Sequence, residues 1–371
     1  MESTTKRVII SGGGTGGHIF PAIAIANALK RLEPTIEILF VGANGRMEMD
    51  KVPAAGYKII GLDIQGINRQ SLLKNILLPF KLWKSIQRAR TVIRNFHPDV
   101  VVGVGGYASG PLLHAAGRMG IPYLIQEQNS YAGITNKKLG AKASKICVAF
   151  EGMERFFPRE RLLITGNPIR QDAVDVEGKE FEAKELLGLD HDKKTVLLTG
   201  GSLGARTLNE SMLEGLKKIH EANLQVIWQC GSYYYEKLQN LLKEDGLEDV
   251  CLKPFLHRMD LAYAAADVII ARAGAGTIAE LCAVGKPAIL VPSPNVAEDH
   301  QTKNALALIK KNAAIMVEDG KARETLIDET ITLVKDRDER RVLSANIKQL
   351  AKTDADEVIA NEVLKLIKDK Y

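Results

Sequence analysis

A histidine closes a glycine run near the start of the chain: Gly12-Gly13-Gly14-Thr15-Gly16-Gly17-His18. Glycines between a strand and a helix let backbone N–H groups approach a phosphate, and the helix N-terminus adds a favourable dipole. His18 stands where that helix would begin. Histidine as a residue type titrates near neutral pH, which suits a general base; the same position suits a helix cap. On the sequence both roles stay open. Gly12, Gly14 and Gly17 also satisfy the spacing G-x-G-x-x-G. A dinucleotide site needs, in addition, an acidic residue at the end of the second strand to hold a ribose. That strand ends Val41-Gly42-Ala43-Asn44, without Asp or Glu, which disfavours a nicotinamide-dependent enzyme.

The elements that must hold such a loop follow from the apolar pattern. Strands are predicted over residues 7–11, 36–41, 100–104, 123–126 and 145–149, and a second series over 195–199, 225–229, 268–271 and 288–291. Helical patterns lie between them, as over residues 21–31 and 208–222, and a long one runs on from about residue 339. This alternation implies α/β domains with parallel sheets covered by helices on both faces. Residues 196–205 (Val-Leu-Leu-Thr-Gly-Gly-Ser-Leu-Gly-Ala) repeat the strand and glycine turn of residues 8–17. Two Rossmann-like domains are expected, 1–166 and 167–349, joined near Gly166-Asn167-Pro168. A length of 371 residues fits two domains of roughly 100–200 residues each.

Ligands of open parallel sheets bind beyond the carboxyl ends of the strands. Six glycine or polar clusters fall there: residues 12–18, Gly105-Gly106-Tyr107, Glu127-Gln128-Asn129, residues 200–206, 272–277 and 292–301. One such cluster alone reads as a tight turn or a cap. Six facing one cleft argue for a ligand site, and against a pure scaffold.

Metal chemistry on a sugar nucleotide would use an Asp-x-Asp pair. Asp190-His191-Asp192 has that spelling but precedes a strand, at the wrong end of the sheet. The pairs Asp336/Asp338 and Asp354/Asp356 lie in charge-rich helical stretches and read as solvated surface. No metal and no cofactor is expected. A leaving diphosphate would be stabilised by backbone N–H groups, a helix N-terminus and an arginine such as Arg170 or Arg206.

Apolar residues make up 46% of the chain and charged residues 26%, with a formal net charge of +5, so bulk charge gives no case for nucleic acid. Cys147, Cys230, Cys251 and Cys282 form no C-x-x-C pair and read as buried free thiols, which fits a reducing compartment. The first apolar run, residues 8–10, is too short for a signal peptide, and no stretch is long enough to span a bilayer. The charge is nonetheless unevenly placed. No acid occurs between Asp63 and Asp99, an interval holding Arg69, Lys74, Lys81, Lys84, Arg88, Arg90 and Arg94. Leu72, Leu73, Ile76, Leu77, Phe80 and Trp83 recur there at helical spacing, with Pro79 expected to kink or divide the helix. A basic amphipathic segment with Trp and Phe reads as a membrane-surface contact, against the alternative of a core-facing helix with a solvated basic face.

In their order and spacing these motifs are similar to those of the MurG family, of glycosyltransferase family 28. Its carriers are residues 13–18, Gly105-Gly106-Tyr107-Ala108-Ser109-Gly110-Pro111, Glu127-Gln128-Asn129, Gly166-Asn167-Pro168-Ile169-Arg170, residues 200–205, residues 272–277, Glu280 and His300-Gln301. The resemblance runs essentially end to end. It implies the GT-B fold, two Rossmann-like domains facing a deep cleft, with a C-terminal helix of about residues 350–371 returning to the first domain. It implies transfer of N-acetylglucosamine from UDP-N-acetylglucosamine to the 4-hydroxyl of undecaprenyl-pyrophosphoryl-N-acetylmuramyl-pentapeptide, with inversion, in peptidoglycan synthesis and hence cell-wall biogenesis, cell shape and division. His18 is the first choice for the base and Glu127 the second. The resemblance further implies that Glu280 binds the ribose, that Leu256, Gly274, Ala275, Gly276 and Thr277 meet uracil and diphosphate, and that Ser202 and Arg170 assist at the diphosphate. Gln301 would contact the sugar, and Thr15, Gly16, Gly17 and Asn129 would complete the donor pocket when the cleft closes. Gly13, Gly14, Gly105, Gly106 and Tyr107 would face the lipid acceptor. Leu73, Lys74, Ile76, Phe80, Lys81, Trp83 and Lys84 would meet the anionic, cytoplasmic side of the inner membrane, as in a peripheral protein. Where the family often carries Ser in the glycine turn this chain has Ala273, which argues against a side-chain role there. A UDP-N-acetylglucosamine 2-epimerase would share fold and donor site but would not need the basic apolar stretch.

Overall fold

The structure is a computed structural model that describes residues 5–65, 78–244, 246–247 and 250–369. The chain divides into two compact units, Met1–Ile169 with Thr353–Tyr371, and Arg170–Lys352. The first contains β1 (Arg7–Gly12), β2 (Glu37–Ala43), β3 (Lys58–Leu62), β4 (Val100–Gly105), β5 (Tyr123–Glu127), β6 (Lys145–Val148) and β7 (Leu162–Ile164). The second contains β8 (Lys194–Thr199), β9 (Leu224–Gln229), β10 (Cys251–Lys253), β11 (Val268–Ala271), β12 (Ala288–Leu290) and β13 (Ile315–Met316). The sheet orders are β3-β2-β1-β4-β5-β6-β7 and β10-β9-β8-β11-β12-β13. Every neighbouring pair is parallel. In both sheets the winding reverses beside the first strand, between β1 and β4 and between β8 and β11. That is the topological switch point, where loops part and a ligand can enter.

The interior strands are apolar without alternation because helices cover both faces. Val8, Ile9 and Ile10 on β1 and Val100, Val101 and Val102 on β4 are fully buried, divided between two core clusters on opposite faces of the sheet. The second unit is built the same way around Val196, Leu198, Trp228 and Ile270. The four strands that the apolar pattern does not reveal, β3, β7, β10 and β13, are the four sheet edges. They are short and only partly buried, so they lack the continuous apolar run of a central strand.

Two helical expectations change. The helix expected over residues 21–31 spans Gly16–Leu32, so Gly16, Gly17 and His18 are its first turn and Pro21 lies inside it. The C-terminal pattern is two helices, Arg337–Gln349 and Ala355–Lys368. The break lets the last helix lie in the first unit, against Gly16–Leu32, with Ile359, Ala360, Val363 and Ile367 buried. Arg31 pairs with Asp356 at 2.8 Å and Lys145 with Glu362 at 3.5 Å. Asp356 is therefore buried and paired, not solvated, because its helix turns that face inward.

Ile359→Ala should lower the stability of the first unit by roughly 2–5 kcal/mol, the usual range for an emptied aliphatic core position. Urea unfolding followed by circular dichroism would report it. The fluorescence of Trp228, fully buried in the second unit, should keep its midpoint. An unchanged first transition would mean that the last helix adds nothing to that core.

Candidate active site

In the first unit the loop after β1 is clamped between the loop after β4 and a side chain from beyond β2. Gly13 donates its N–H to the Gly105 carbonyl at 3.3 Å. Gly105 and Gly106 have φ of +106° and +91°, values that favour glycine. Side chains at either position would also collide. A Cβ on Gly105 would lie 2.4 Å from His18 Cδ2, and one on Gly106 would lie 2.4 Å from the Gly13 carbonyl oxygen. The β4 glycines thus exist to let the His18 ring and the first loop pack closely.

His18 sits in the first turn of Gly16–Leu32, half-buried. Its Nδ1 is 3.2 Å from the Gly13 carbonyl oxygen and 3.3 Å from Thr15 Oγ1. A carbonyl only accepts, so a hydrogen bond to it needs the proton on Nδ1, which leaves the lone pair of the neutral ring on Nε2; the Thr15 hydroxyl donates or accepts and so fits either tautomer. Thr15 is the N-cap by backbone geometry, without a side-chain cap bond. Tyr107 is exposed, with the Arg46 guanidinium over its ring at 5.6 Å and its edge towards Gly14.

The acid missing from the end of β2 is supplied later in the chain. Glu48, only 1% exposed, accepts from the Ala43 N–H at 3.0 Å and from the Gly14 N–H at 2.8 Å. Both of its oxygens serve the protein's own backbone. Glu48 lies in a polar run after the strand, where no periodic or motif signal marks it.

Glu127, the last residue of β5, is buried. Oε1 accepts from the Asn129 N–H at 3.1 Å and its side-chain amide at 3.4 Å. Oε2 accepts from the Gly133 N–H at 3.1 Å and from Asn136 Nδ2 at 2.8 Å. Burial pushes its carboxyl above the usual range, while these four donors pull it back. A carboxylate offers about four lone-pair positions, and all are engaged. Taking up a proton would expel a donor, so the geometry suits an anchor for the 128–136 loop better than a base. Asn136, on the helix Ile134–Gly140, was not foreseen. Beside this loop, the Gln126 amide donates to Asn167 Oδ1 at 2.9 Å, and Asn167 Nδ2 donates to the Gln128 carbonyl at 3.0 Å.

In the second unit the counterpart loops follow β8 and β11. The helix Ala275–Val284 begins after Gly274, and a Cβ on Gly276 would meet nothing within 4 Å. Packing therefore does not demand glycine at 276; open space in front of a helix start suits an anion. Gly204 differs, since its Cβ would strike the Cys230 carbonyl oxygen at 1.9 Å, and so shapes the turn itself. Ala273 is fully buried. Ser202 is exposed, and Leu256 is buried beside half-exposed Phe255. The side-chain Oε1 of Gln301 accepts from the Ser293 N–H at 2.8 Å, which ties the 293–299 loop to the helix His300–Ile309.

Glu280, on Ala275–Val284, holds three donors: Arg170 Nε at 3.0 Å, Arg170 Nη2 at 3.3 Å and the Tyr263 hydroxyl at 3.1 Å. Burial, and then the Glu280 charge, hold the Tyr263 phenol well above its ordinary range, so it donates at any physiological pH. Arg170 thus spends two N–H groups on Glu280, and Glu280 keeps about one lone pair for a ligand. Arg206 is on the surface, paired with Glu210 at 2.7 Å. Arg272 reaches back to Asp319 and to the Val291 and Pro292 carbonyls, fixing the start of the 292–299 loop. Tyr263 and the Arg272–Asp319 pair were not foreseen, because their partners lie far along the chain.

Asp192 donates its N–H to Asp190 Oδ1 at 2.8 Å in a turn before β8, at the amino end of the sheet. Asp336 caps Arg337–Gln349 through the Glu339 N–H. Among the described residues no cluster of three or more His, Cys, Asp or Glu could hold a metal ion. All four cysteines are free; Cys251, on an edge strand, is half-buried and the rest are buried. Burial pushes Cys147 and Cys282 up to about 12, so neither is a ready nucleophile.

In the basic stretch, Leu72, Leu73, Lys74, Ile76 and Leu77 lie outside the described residues. The described helix Leu78–Phe96 has Pro79 as its second residue and buries Ser85, Ala89, Val92 and Ile93. Phe80 and Trp83 do not join the core: they are 62% and 58% exposed and stack at 6.1 Å. Lys84 is exposed beside them, and Lys81 donates to Gln65 at 3.2 Å. Among the described residues no helix is long and apolar enough to cross a membrane.

Residues 8–148 match the N-terminal domain of glycosyltransferase family 28, and residues 195–363 match its C-terminal domain. The chain belongs to glycosyltransferase family 28. A relative from Parabacteroides distasonis is 56% identical over 364 residues, covering 98% of this chain and 99% of the relative. One from Phocaeicola vulgatus is 57% identical over 366 residues, covering 98% and 97%. Both are named UDP-N-acetylglucosamine–N-acetylmuramyl-(pentapeptide) pyrophosphoryl-undecaprenol N-acetylglucosamine transferase. The crystal structure of Acinetobacter baumannii MurG matches with a TM-score of 0.80 at 30% identity, covering 97% of this chain and 99% of that one. The two Rossmann-like units are the GT-B fold of this family. The family's C-terminal match runs to residue 363, inside the helix that packs in the first unit, so family boundary and compact unit do not coincide.

Proposed function

We propose that the chain transfers N-acetylglucosamine from UDP-N-acetylglucosamine to the 4-hydroxyl of undecaprenyl-pyrophosphoryl-N-acetylmuramyl-pentapeptide, with inversion at the anomeric carbon. The observation that carries this reading is near-full-length identity of 56% to a relative named for that transfer. The acceptor hydroxyl attacks as the UDP leaves, through an oxocarbenium-like state. The reaction needs one base and a stabilised leaving group. His18 Nε2 is the base, since its Nδ1 is committed to the Gly13 carbonyl. Glu127 acts as the anchor that shapes the Asn129 loop. The second unit holds the donor: Glu280 at the ribose, and the Gly274–Thr277 helix start with Ser202 at the diphosphate. Leu256 stands at the uracil and Gln301, through its amide nitrogen, at the sugar. The first unit holds the acceptor at Gly13, Gly14, Gly105, Gly106 and Tyr107.

The test is transfer of labelled N-acetylglucosamine from UDP to the lipid-linked muramyl-pentapeptide. Acceptor-dependent labelled lipid is the expected result. Conversion of the UDP-sugar to its 2-epimer without transfer would move the function to an isomerase on the same fold. Chelator should leave the rate within about twofold, since the Asp-x-Asp spellings serve a turn, a helix cap and the Arg31–Asp356 ion pair, and the leaving charge falls to backbone donors. Loss of transfer restored by a divalent ion would overturn that.

The exposed Phe80–Trp83 pair with Lys81, Lys84 and Arg88 supports docking on an anionic bilayer, peripherally and on the cytoplasmic side where the UDP-sugar is found. Nucleic acid is not a partner in this reading. Trp83→Glu should weaken binding to phosphatidylglycerol vesicles by about tenfold or more, as expected for losing one large apolar contact of roughly 1.5–3 kcal/mol. Unchanged vesicle binding would remove the pair from the membrane contact.

A further inference from the structure

The Gly13–Gly14 peptide group is held at both ends. Its N–H, on Gly14, donates to Glu48 Oε2 at 2.8 Å. Its C=O, on Gly13, faces His18 Nδ1 at 3.2 Å. One planar unit therefore joins a buried carboxylate to the imidazole. We propose that Glu48 is a positioning residue that acts through this peptide group to fix the tautomer and aim of His18 and to strengthen it as a base. The inference rests on the reading of His18 as the base.

Three observations carry it. The first is that the carboxylate cannot turn away without loss. It is 1% exposed, and its other oxygen accepts from the Ala43 N–H at 3.0 Å. The second is that the slot exists only because two neighbours lack side chains. A Cβ on Gly13 would lie 2.2 Å from Glu48 Oε1, and one on Gly42 would lie 2.6 Å from Glu48 Cγ. The third is that the far side is shaped as tightly, since a Cβ on Gly105 would meet the His18 ring. Glycines that look like a phosphate cradle are in these places room for an acid on one side and an imidazole on the other.

The physical effect follows from hydrogen-bond polarisation. An N–H donated to an anion pushes electron density along the amide and makes its carbonyl a stronger acceptor. A stronger acceptor holds the proton on Nδ1, leaves the lone pair on Nε2, and favours the imidazolium that forms when Nε2 takes the acceptor proton. Enzymes commonly set a histidine through a carboxylate in direct contact with its second nitrogen. Here the contact is relayed by one peptide.

The test combines a double-mutant cycle with nitrogen NMR of histidine-labelled full-length protein. Glutamine at 48 keeps the size, but its single carbonyl oxygen cannot serve both N–H groups with a charge. Glu48→Gln should lower kcat by about 10–100-fold, in line with second-shell partners of functional histidines, and move the donor KM by less than about threefold. In a His18→Ala background the same change should cost less than about twofold, because a residue that acts through His18 has nothing left to act on. The unmutated protein should show His18 protonated on Nδ1 when neutral, and Glu48→Gln should shift it towards the Nε2–H form. Equal losses in both backgrounds would make Glu48 a merely structural tie between β1 and β2 and overturn the proposal. So would an Nε2–H tautomer in the unmutated protein, a measurement that stands even if the variant does not fold. A His18→Ala loss under about tenfold would instead sink the base assignment. The nitrogen spectra would then still decide whether Glu48 sets the ring.

Discussion

His18→Ala is expected to lower kcat by about 10²–10⁴, the contribution of a positioned general base, with little change in the donor KM. The expectation rests on geometry. The ring is gripped at Nδ1 by the Gly13 carbonyl, with Thr15 nearby, and its Cδ2–Nε2 edge lies against Gly105. With the proton on Nδ1, the lone pair of the neutral side chain is on Nε2. The other candidate, Glu127, accepts four hydrogen bonds within its own loop and would have to break one to accept a proton. A loss under tenfold at His18, measured on the lipid-linked acceptor, would move the base elsewhere. His18→Gln should be nearly as slow as the alanine variant, because an amide can hold the Gly13 carbonyl but cannot take up the proton.

Glu280→Ala should raise the donor KM by roughly 10–100-fold, matching loss of a charge-assisted hydrogen bond of about 1.5–3 kcal/mol, with a smaller change in kcat. Glu280 already accepts from Arg170 twice and from Tyr263 once. It can offer about one further lone pair, so it is expected to take one ribose hydroxyl rather than grip two. Removing the carboxylate also strands the Tyr263 hydroxyl in a buried place and frees Arg170. The comparison with Tyr263→Phe separates the effects. That variant keeps the carboxylate and returns a lone pair to it, so the donor KM should move by less than about threefold. An unchanged KM in Glu280→Ala would take Glu280 out of the ribose site and leave it as the internal partner of Arg170.

The interior of each sheet was legible from the chain alone. Strands such as 7–11 and 268–271 are continuous apolar runs because they are covered on both faces, and each glycine turn follows at a carboxyl end. His18, Glu127 and Glu280 could be singled out because each lies in or next to such a turn or loop. The four edge strands were not legible, since a strand with one neighbour needs little apolar surface and leaves little pattern. The long helical tail also misled. Periodicity marks both helices but does not show that residues 350–354 break them and return Ala355–Lys368 to the first unit.

What each functional side chain is bonded to was decided only in three dimensions. Glu48 meets a glycine 34 residues away, and Arg170 meets Glu280 across 110 residues. Glu127 looked like a candidate base by type and position, yet its loop folds back to occupy every lone pair. Asp356 looked like surface charge, yet its helix turns it towards Arg31. Hydrophobic period and glycine placement act between near neighbours in the chain, so the sequence determines the parallel α/β layers and where their loops emerge. The partner of a carboxylate or an imidazole depends on which distant backbone and side chains the closed sheet brings within hydrogen-bond reach, and only the tertiary structure decides that.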